Sequence, residues 1–157
     1  MTYKVHQVTK VQEALEQARF LLYGLNELRH ETKARETIDN DRFIVRLLHI
    51  LHERTGVLLL VRDSANRNVG FLVADNATEF FREPCAIVLW VYTKDGQNAA
   101  LKELFDAFLK WCREHRVSNV RAYTRRINGS AMKFYEERLG FTREYVLFKR
   151  DLLNTDS

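Results

Sequence analysis

The sequence predicts an α/β protein, a mixed β-sheet with helices on its faces. Three observations predict it. Four segments carry apolar residues at helical spacing, and six shorter runs carry a β pattern. Two of those runs are joined by a short polar turn, which marks an antiparallel hairpin. The later part alternates strand and helix, and a strand–helix–strand unit is almost always right-handed and parallel. The resulting order is βααβββαβαβ.

Each element has its own warrant. Residues 3–9 alternate weakly (Tyr3, Val5, Gln7) and read as a first strand. From Val11 the period changes: Val11, Ala14, Leu15, Ala18, Leu22, Leu25 and Leu28 predict one helix to about Arg29. After a polar stretch, Asp39 or Asn40 can cap a second helix whose apolar face is Phe43, Leu47, Ile50 and Leu51, with Gly56 as its end. "VLLLVRD", the turn "SANRN" and "VGFLVAD" form the hairpin, and "NATEFFREP" is a loop. "CAIVLWVYT", Cys85 to Thr93, is apolar on both faces and reads as a central strand. Leu101, Leu104, Phe105, Phe108, Leu109 and Cys112 form the stripe of a third helix. "NVRAYT" is the parallel strand that follows; a helix over 128–139 and a strand over 141–149 close the order.

Composition bounds the function. At 157 residues the chain is read as one domain, residues 1–152, with a short tail over 153–157. It is 46% hydrophobic and 29% charged, the balance of a soluble globular protein, and one proline and six glycines exclude low-complexity linkers. The longest apolar run, Val57 to Val61, is too short to span a bilayer, and the N-terminus has no secretory core. Cys85 and Cys112 are far from any CxxC spacing, so a reduced, cytoplasmic protein is expected. The net charge of +4 is scattered, which fits a solvated surface better than a nucleic-acid partner.

The segment "NGSAMKFYEERLGF" carries the most specific signal. Asn128 is a good N-cap, and Ala131, Phe134, Tyr135 and Leu139 share one helical face. Gly140 can take a positive φ at the helix end. Tyr135 is therefore expected to point toward the sheet, at the end of parallel strands where ligands bind. Spacing alone favours the reading of Tyr135 as a core aromatic whose hydroxyl meets a backbone group. The segment resembles the last motif of the GNAT superfamily of N-acetyltransferases, N-x-x-A-x-x-F-Y-x-x-x-G-F with a variable gap before the glycine. Asn128, Ala131, Phe134, Tyr135, Gly140 and Phe141 occupy its places. The "LFKRDL" that follows is also common in the family, and the element order extends the resemblance from Tyr3 to Leu152.

The resemblance implies transfer of an acetyl group from acetyl-coenzyme A, as cosubstrate, to an amine by direct attack. It implies Tyr135 as the group that hydrogen-bonds or protonates the leaving thiolate. It also implies coenzyme contacts from Trp90, Val91 and Tyr92 of the central strand, from the loop that follows, and from Asn128 and Ala131. The family loop, Q/R-x-x-G-x-G/A, is degenerate here and has two registers. One is Lys94 to Ala99. The other, Gln97-Asn98-Ala99-Ala100-Leu101-Lys102, keeps Leu101 on the apolar stripe and is preferred. Phosphates there would meet backbone amides at a helix N-terminus. A polar turn capped by Asp95 or Asn98 explains the same residues without a ligand.

No carboxylate lies on the central strand as a base. Glu79, Glu83, Asp75 and Tyr92 remain candidates. His49 and His52, at i and i+3, with His30 nearby, read as surface groups rather than a metal site, because no acidic or thiol partner stands at a known spacing. Arg125 and Arg126 are candidates for phosphate contact or simple surface cover. The acceptor, a small molecule or a protein, is expected to lie among the first two helices and the 76–84 loop; a homodimer is left open, and no membrane partner is expected. The competing reading is a non-catalytic protein on the same fold, with the degenerate loop as its warrant.

Overall fold

The computed structural model describes residues 2–31, 37–77, 82–123, 129–143, 150 and 152, within two compact units, Met1–Arg125 and Arg126–Ser157. The first unit is built on a five-stranded sheet of order β1-β2-β3-β4-β5. The strands are β1 (Lys4–Val8), β2 (Val57–Arg62), β3 (Asn68–Asn76), β4 (Cys85–Thr93) and β5 (Asn119–Ala122). Neighbours run antiparallel except β4 and β5, which are parallel as the strand–helix–strand unit requires. The mixed sheet flanked by helices is the fold class expected from the sequence.

Helices α1 (Val11–Glu16), α2 (Ala18–Glu31) and α3 (Asn40–Glu53) belong to one core cluster with one face of the sheet. There Leu21, Leu25, Phe43, Leu47 and Ile50 meet Leu58, Leu60, Phe71, Val73 and Tyr92, all buried. Helix α4 (Asn98–Glu114) buries Ala100, Leu104, Phe105, Phe108, Trp111 and Cys112. Leu101 and Leu109, expected on that stripe, are half-buried flanks, because the helix turns Ala100 and Trp111 inward instead. β2 reads Val-Leu-Leu-Leu-Val because both its faces are covered.

The single first helix expected from the sequence is two. Gln17 breaks it: its amide is shared between the carbonyls of Glu13 and Ala14, and its side-chain oxygen accepts from Asn68 Nδ2 at 2.6 Å. That Asn68 sits at the start of β3, so the break is pinned to the β2–β3 hairpin. The hairpin turn is closed by Asp63, whose carboxylate accepts the amides of Ala65 and Arg67 at 2.9 and 3.0 Å and the Arg67 guanidinium at 2.8 Å. The Arg67 amide hydrogen bond is the main cause that holds the Asp63 carboxyl below its usual range.

Asp39 caps α3 as expected, accepting from the Arg42 amide at 3.1 Å. Gly56 does not end that helix. Arg54 does, in the left-handed conformation at φ 56°. Gly56 is needed for another reason: a Cβ there would lie 2.0 Å from the Ala74 carbonyl oxygen. The helix is also tied to the sheet by Arg46, which donates to Asp75 at 2.8 Å.

In the second unit, α5 (Gly129–Lys133) runs straight into a π-helical turn, Phe134–Arg138. The Leu139 amide bonds to the Phe134 carbonyl five residues back, at 3.2 Å. Gly140 takes φ +73°, as the sequence led one to expect, and the Phe141 amide then reaches the Tyr135 carbonyl at 2.9 Å. The wider turn shifts this closing bond by one residue from the usual helix ending. Residues 141–143 are not in a strand. Residues 144–149 of the last expected strand lie outside the described residues. No described helix is long and apolar enough to cross a membrane.

Gly24 sets the distance between α2 and the sheet. A Cβ there would lie 2.5 Å from Tyr92 Cδ1 and 2.6 Å from Phe71 Cε1. Alanine raises helix propensity by about 1 kcal/mol, but overpacking a filled core costs about 1–3 kcal/mol. Both rings are buried and cannot step aside, so the packing effect is the larger. Gly24→Ala is expected to lower stability, by up to about 2 kcal/mol. Urea unfolding of both proteins checks this through a lower midpoint at unchanged slope.

Candidate functional site

The site is built from the last turns of β4 outward. The β3–β4 register passes from Val73↔Trp90 to Ala74↔Val88, so Leu89 is an extra residue, a β-bulge. The β4–β5 ladder ends at Val88↔Ala122 among the described residues. Beyond it β4 continues through Leu89 to Thr93. Trp90 is half-buried and packs edge-on against Phe43, with ring centres 4.8 Å apart. Val91 is half-buried, and Tyr92 is only 5% exposed.

A tight turn follows. The Lys94 amide bonds to the Val69 carbonyl at 2.8 Å, and the Gln97 amide bonds back to Lys94 at 3.1 Å. Gly96 has φ +77° inside this turn. α4 then opens at Asn98 with no side-chain cap. The Gln97 side chain does not cap it because its oxygen accepts from the Tyr3 hydroxyl. The amides of Asn98 and Ala99 thus open the helix with no intrahelical acceptor, the arrangement that favours an anion.

The expected loop contacts separate here. Asn98 and Ala99 are exposed, whereas Ala100 is fully buried and its amide bonds to Gln97 at 2.9 Å. The exposed small residue of the turn is therefore Ala99. A change at Ala100 would disturb packing before it touched a ligand. Lys102 is exposed, and its ammonium meets Asp106 at 2.6 Å, one turn further down α4. The Asp106 hydrogen bond raises the Lys102 pKa. Such an exposed pair is screened by solvent, so releasing it is inexpensive.

On the other side of β4, α2 presents Phe20, Tyr23, Gly24 and Glu27 toward Tyr92. These residues stand at i, i+3, i+4 and i+7, one helical face. The Tyr92 ring lies 6.3 Å from Phe20 and 6.5 Å from Tyr23. Burial pushes its pKa up to about 12, helped by Tyr23, Glu27 and Asp95. Lys94 sets its ammonium 5.7 Å from the centre of the Phe20 ring. The sequence reading missed this group; the signal available was the α2 periodicity, with a glycine and a glutamate on an otherwise aromatic face.

The candidate bases do not fare alike. Asp75 is buried and paired with Arg46 at 2.8 Å. Glu83 is exposed, and Glu79 lies outside the described residues. With a pKa of about 12, Tyr92 is neutral near pH 7 and is no base. His49 and His52 are exposed, and no cluster of three metal-ligating side chains occurs among the described residues. Arg125 and Arg126 lie outside them.

In the second unit, Tyr135 is half-buried on the π-helical turn. Its ring stands edge-on to Phe134 at 6.0 Å and to Phe141 at 5.8 Å. Ala131 is half-buried one turn earlier; Asn128 lies outside the described residues. Single π-helical turns inside helices occur often at functional positions, and here the widened turn carries the tyrosine.

The Tyr92 environment has a measurable consequence. A raised pKa means that the folded state holds the proton more tightly than the unfolded chain. The stability this confers is present below the unfolded pKa near 10 and is lost as pH rises through about 12. Tyr92 is expected to stay un-ionised at about pH 10.5, where exposed tyrosines titrate. Tyrosinate absorbance of the wild type and Tyr92→Phe checks this: the two titrations should coincide up to that pH and diverge only above it.

No protein-family model and no curated protein matches the sequence. Solved structures do match over nearly the whole chain. An acetyltransferase described as possible, from Clostridium difficile 630, has a TM-score of 0.71 at 15% identity, covering 98% of this chain and 100% of its own. Glucosamine-6-phosphate N-acetyltransferase from Arabidopsis thaliana has a TM-score of 0.67 at 12% identity, covering 97% and 99%. AAC(6')-Iy, solved with the bisubstrate analog CoA-S-monomethyl-acetylneamine, has a TM-score of 0.71 at 15% identity, covering 96% and 99%. At such identities the likeness is one of fold. The chain therefore has the GNAT fold shared by these acetyltransferases.

Proposed function

We propose that this protein is an acetyl-coenzyme A-dependent N-acetyltransferase acting on an amine. One observation carries the reading. Beyond Val88, where its ladder with β5 ends among the described residues, β4 continues through a bulge into a turn and the uncapped N-terminus of α4. The continuing strand supplies backbone groups for an extended ligand arm, and the Asn98 and Ala99 amides supply an anion site at its end. Solved structures similar to this chain include acetyltransferases, one of them in complex with a bisubstrate analog of coenzyme A. We assign Trp90, Val91 and Tyr92 to the wall of the coenzyme arm, and Gln97, Asn98 and Ala99 to the pyrophosphate turn. Lys102 is placed to attract phosphate once it leaves Asp106. Asn128 and Ala131 keep the coenzyme contacts that the motif implies. The single domain over 1–152 belongs to this reading, as does action in the cytoplasm.

In the reaction the amine lone pair attacks the thioester carbonyl carbon. The C–N bond forms, the C–S bond breaks, and the sulfur leaves with its electron pair. Tyr135, assigned from the motif, meets that sulfur through its hydroxyl. A thiol of pKa about 8.5 against a tyrosine near 10 makes full proton transfer uphill by roughly 2 kcal/mol. A hydrogen bond to the developing thiolate is therefore sufficient. An alkyl amine of pKa near 10.4 is neutral in only about one molecule in 2,500 at pH 7. With Asp75 paired and Tyr92 protonated, neither is assigned as the base that takes the amine's proton.

Acetyl-coenzyme A is expected to bind and to raise the melting temperature; at 100 times its dissociation constant it adds about 2.7 kcal/mol of stability. Ala99→Glu puts a carboxylate beside the two opening amides and is expected to weaken that binding at least about tenfold, with the unliganded melting temperature unchanged. Calorimetric titration reads both. Absence of binding heat at millimolar wild type and ligand would leave a non-catalytic protein on the same fold. Equal affinity in Ala99→Glu would remove the turn from the phosphate site.

Tyr135→Phe is expected to fold normally and bind acetyl-coenzyme A as the wild type does, while kcat falls by about 10² or more. A hydroxyl serving only the fold would instead cost about 1 kcal/mol of stability and leave kcat unchanged. Turnover with an amine found by screening, or slow hydrolysis of the thioester, separates the two.

A further inference from the structure

The turn before α4 is fastened by a residue from the far edge of the sheet. Tyr3, one residue before β1, donates its hydroxyl to the Gln97 side-chain oxygen. β1 lies three strands from β4 in the sheet order, and α4 packs against both. Tyr3 and Gln97 are both half-buried, so their bond is partly shielded from water. Gln97 stands at the N-cap position of α4, the place from which a side-chain oxygen satisfies the first helical amides. A carboxamide has one oxygen and one NH2 group, and only the oxygen accepts a hydrogen bond. Tyr3 occupies that oxygen. The NH2 group that remains is a donor, so it does not compete for the amides of Asn98 and Ala99. No other side chain accepts from those amides among the described residues.

We propose that Tyr3 is a positioning residue of the coenzyme site: by holding the Gln97 oxygen it sets the affinity of the α4 N-terminus for the pyrophosphate. The inference rests on the acetyltransferase reading and adds to it a residue that no motif points to. Once freed, the Gln97 oxygen and a phosphate oxygen compete for the same two donors. While Tyr3 holds it, the phosphate has those donors to itself. The affinity for coenzyme therefore depends on an edge strand that supplies none of the residues assigned to the site. Tyr3 acts through Gln97, so its role lies in binding: its loss raises the KM for acetyl-coenzyme A and leaves kcat in place.

The test combines calorimetric titration of the full chain with acetyl-coenzyme A and hydrogen exchange of the Asn98 and Ala99 amides in the unliganded chain. Tyr3→Phe keeps the ring and releases the Gln97 oxygen. Its affinity is expected to fall about threefold or more, the effect of a modest helix cap. Its two amides are expected to exchange more slowly than in the wild type, because the released oxygen protects them. Removing the Gln97 side chain as well, in Tyr3→Phe with Gln97→Ala, takes the competitor away: exchange speeds up again, and affinity rises above that of Tyr3→Phe. A bond that only ordered the turn would act with the opposite sign. Its loss would speed exchange, and the second substitution would restore nothing. Gln97→Asn leaves Tyr3 untouched and keeps the test valid if Tyr3→Phe does not fold. Its shorter side chain falls back from Tyr3 and is of the type preferred at N-caps. It should raise the melting temperature while weakening acetyl-coenzyme A binding about fivefold. Equal affinity in the wild type and a folded Tyr3→Phe overturns this inference and keeps the acetyltransferase reading. Faster exchange in Tyr3→Phe, or undiminished binding by Gln97→Asn, does the same. Absence of acetyl-coenzyme A binding by the wild type overturns both.

Discussion

The close approach of α2 to the sheet at Gly24 governs much of the first unit. With no side chain at that position, the helix lies directly against the Phe71 and Tyr92 rings. Those rings belong to β3 and β4, so one contact locks the helical layer to both strands. It buries the Tyr92 ring and brings Tyr23 and Glu27 beside it. The same contact removes Tyr92 from the list of bases, because a phenol in that setting holds its proton to about pH 12.

The polar contacts arrange the rest around this packing. Arg46 and Asp75 tie α3 to the end of β3, and Gln17 with Asn68 ties the break between α1 and α2 to the hairpin. Tyr3 holds the Gln97 side chain and so keeps it from capping α4. The two amides at the start of α4 are thereby left to an anion by the same contacts that order the turn.

The two faces of β4 lend themselves to different tasks. One end leads into the α4 N-terminus, where partial positive charge and a small exposed residue suit phosphate. The other meets α2, where the rings of Phe20, Tyr23 and Phe71 surround Tyr92.

Read by itself, the sequence determined the class of fold and most of the elements. Helical periodicity and β runs are local properties, and the β4–α4–β5 unit carries a strong handedness rule, so the order of the described elements and the parallel β4–β5 pair followed. Asp39 as a cap and Gly140 at positive φ were equally legible, because each acts on its own neighbours. The roles of Gly24 and Gly56 were not, because they depend on a ring or a carbonyl brought close from another strand. The break at Gln17 answers to Asn68, fifty-one residues away in sequence. Spacing alone placed Leu101 on the buried stripe; packing chose Ala100, and with it decided which small residue faces outward. Tyr92 was named from its strand, but whether it would be a base or a buried phenol was decided by the residues around it, since a pKa is a property of surroundings rather than of a side chain.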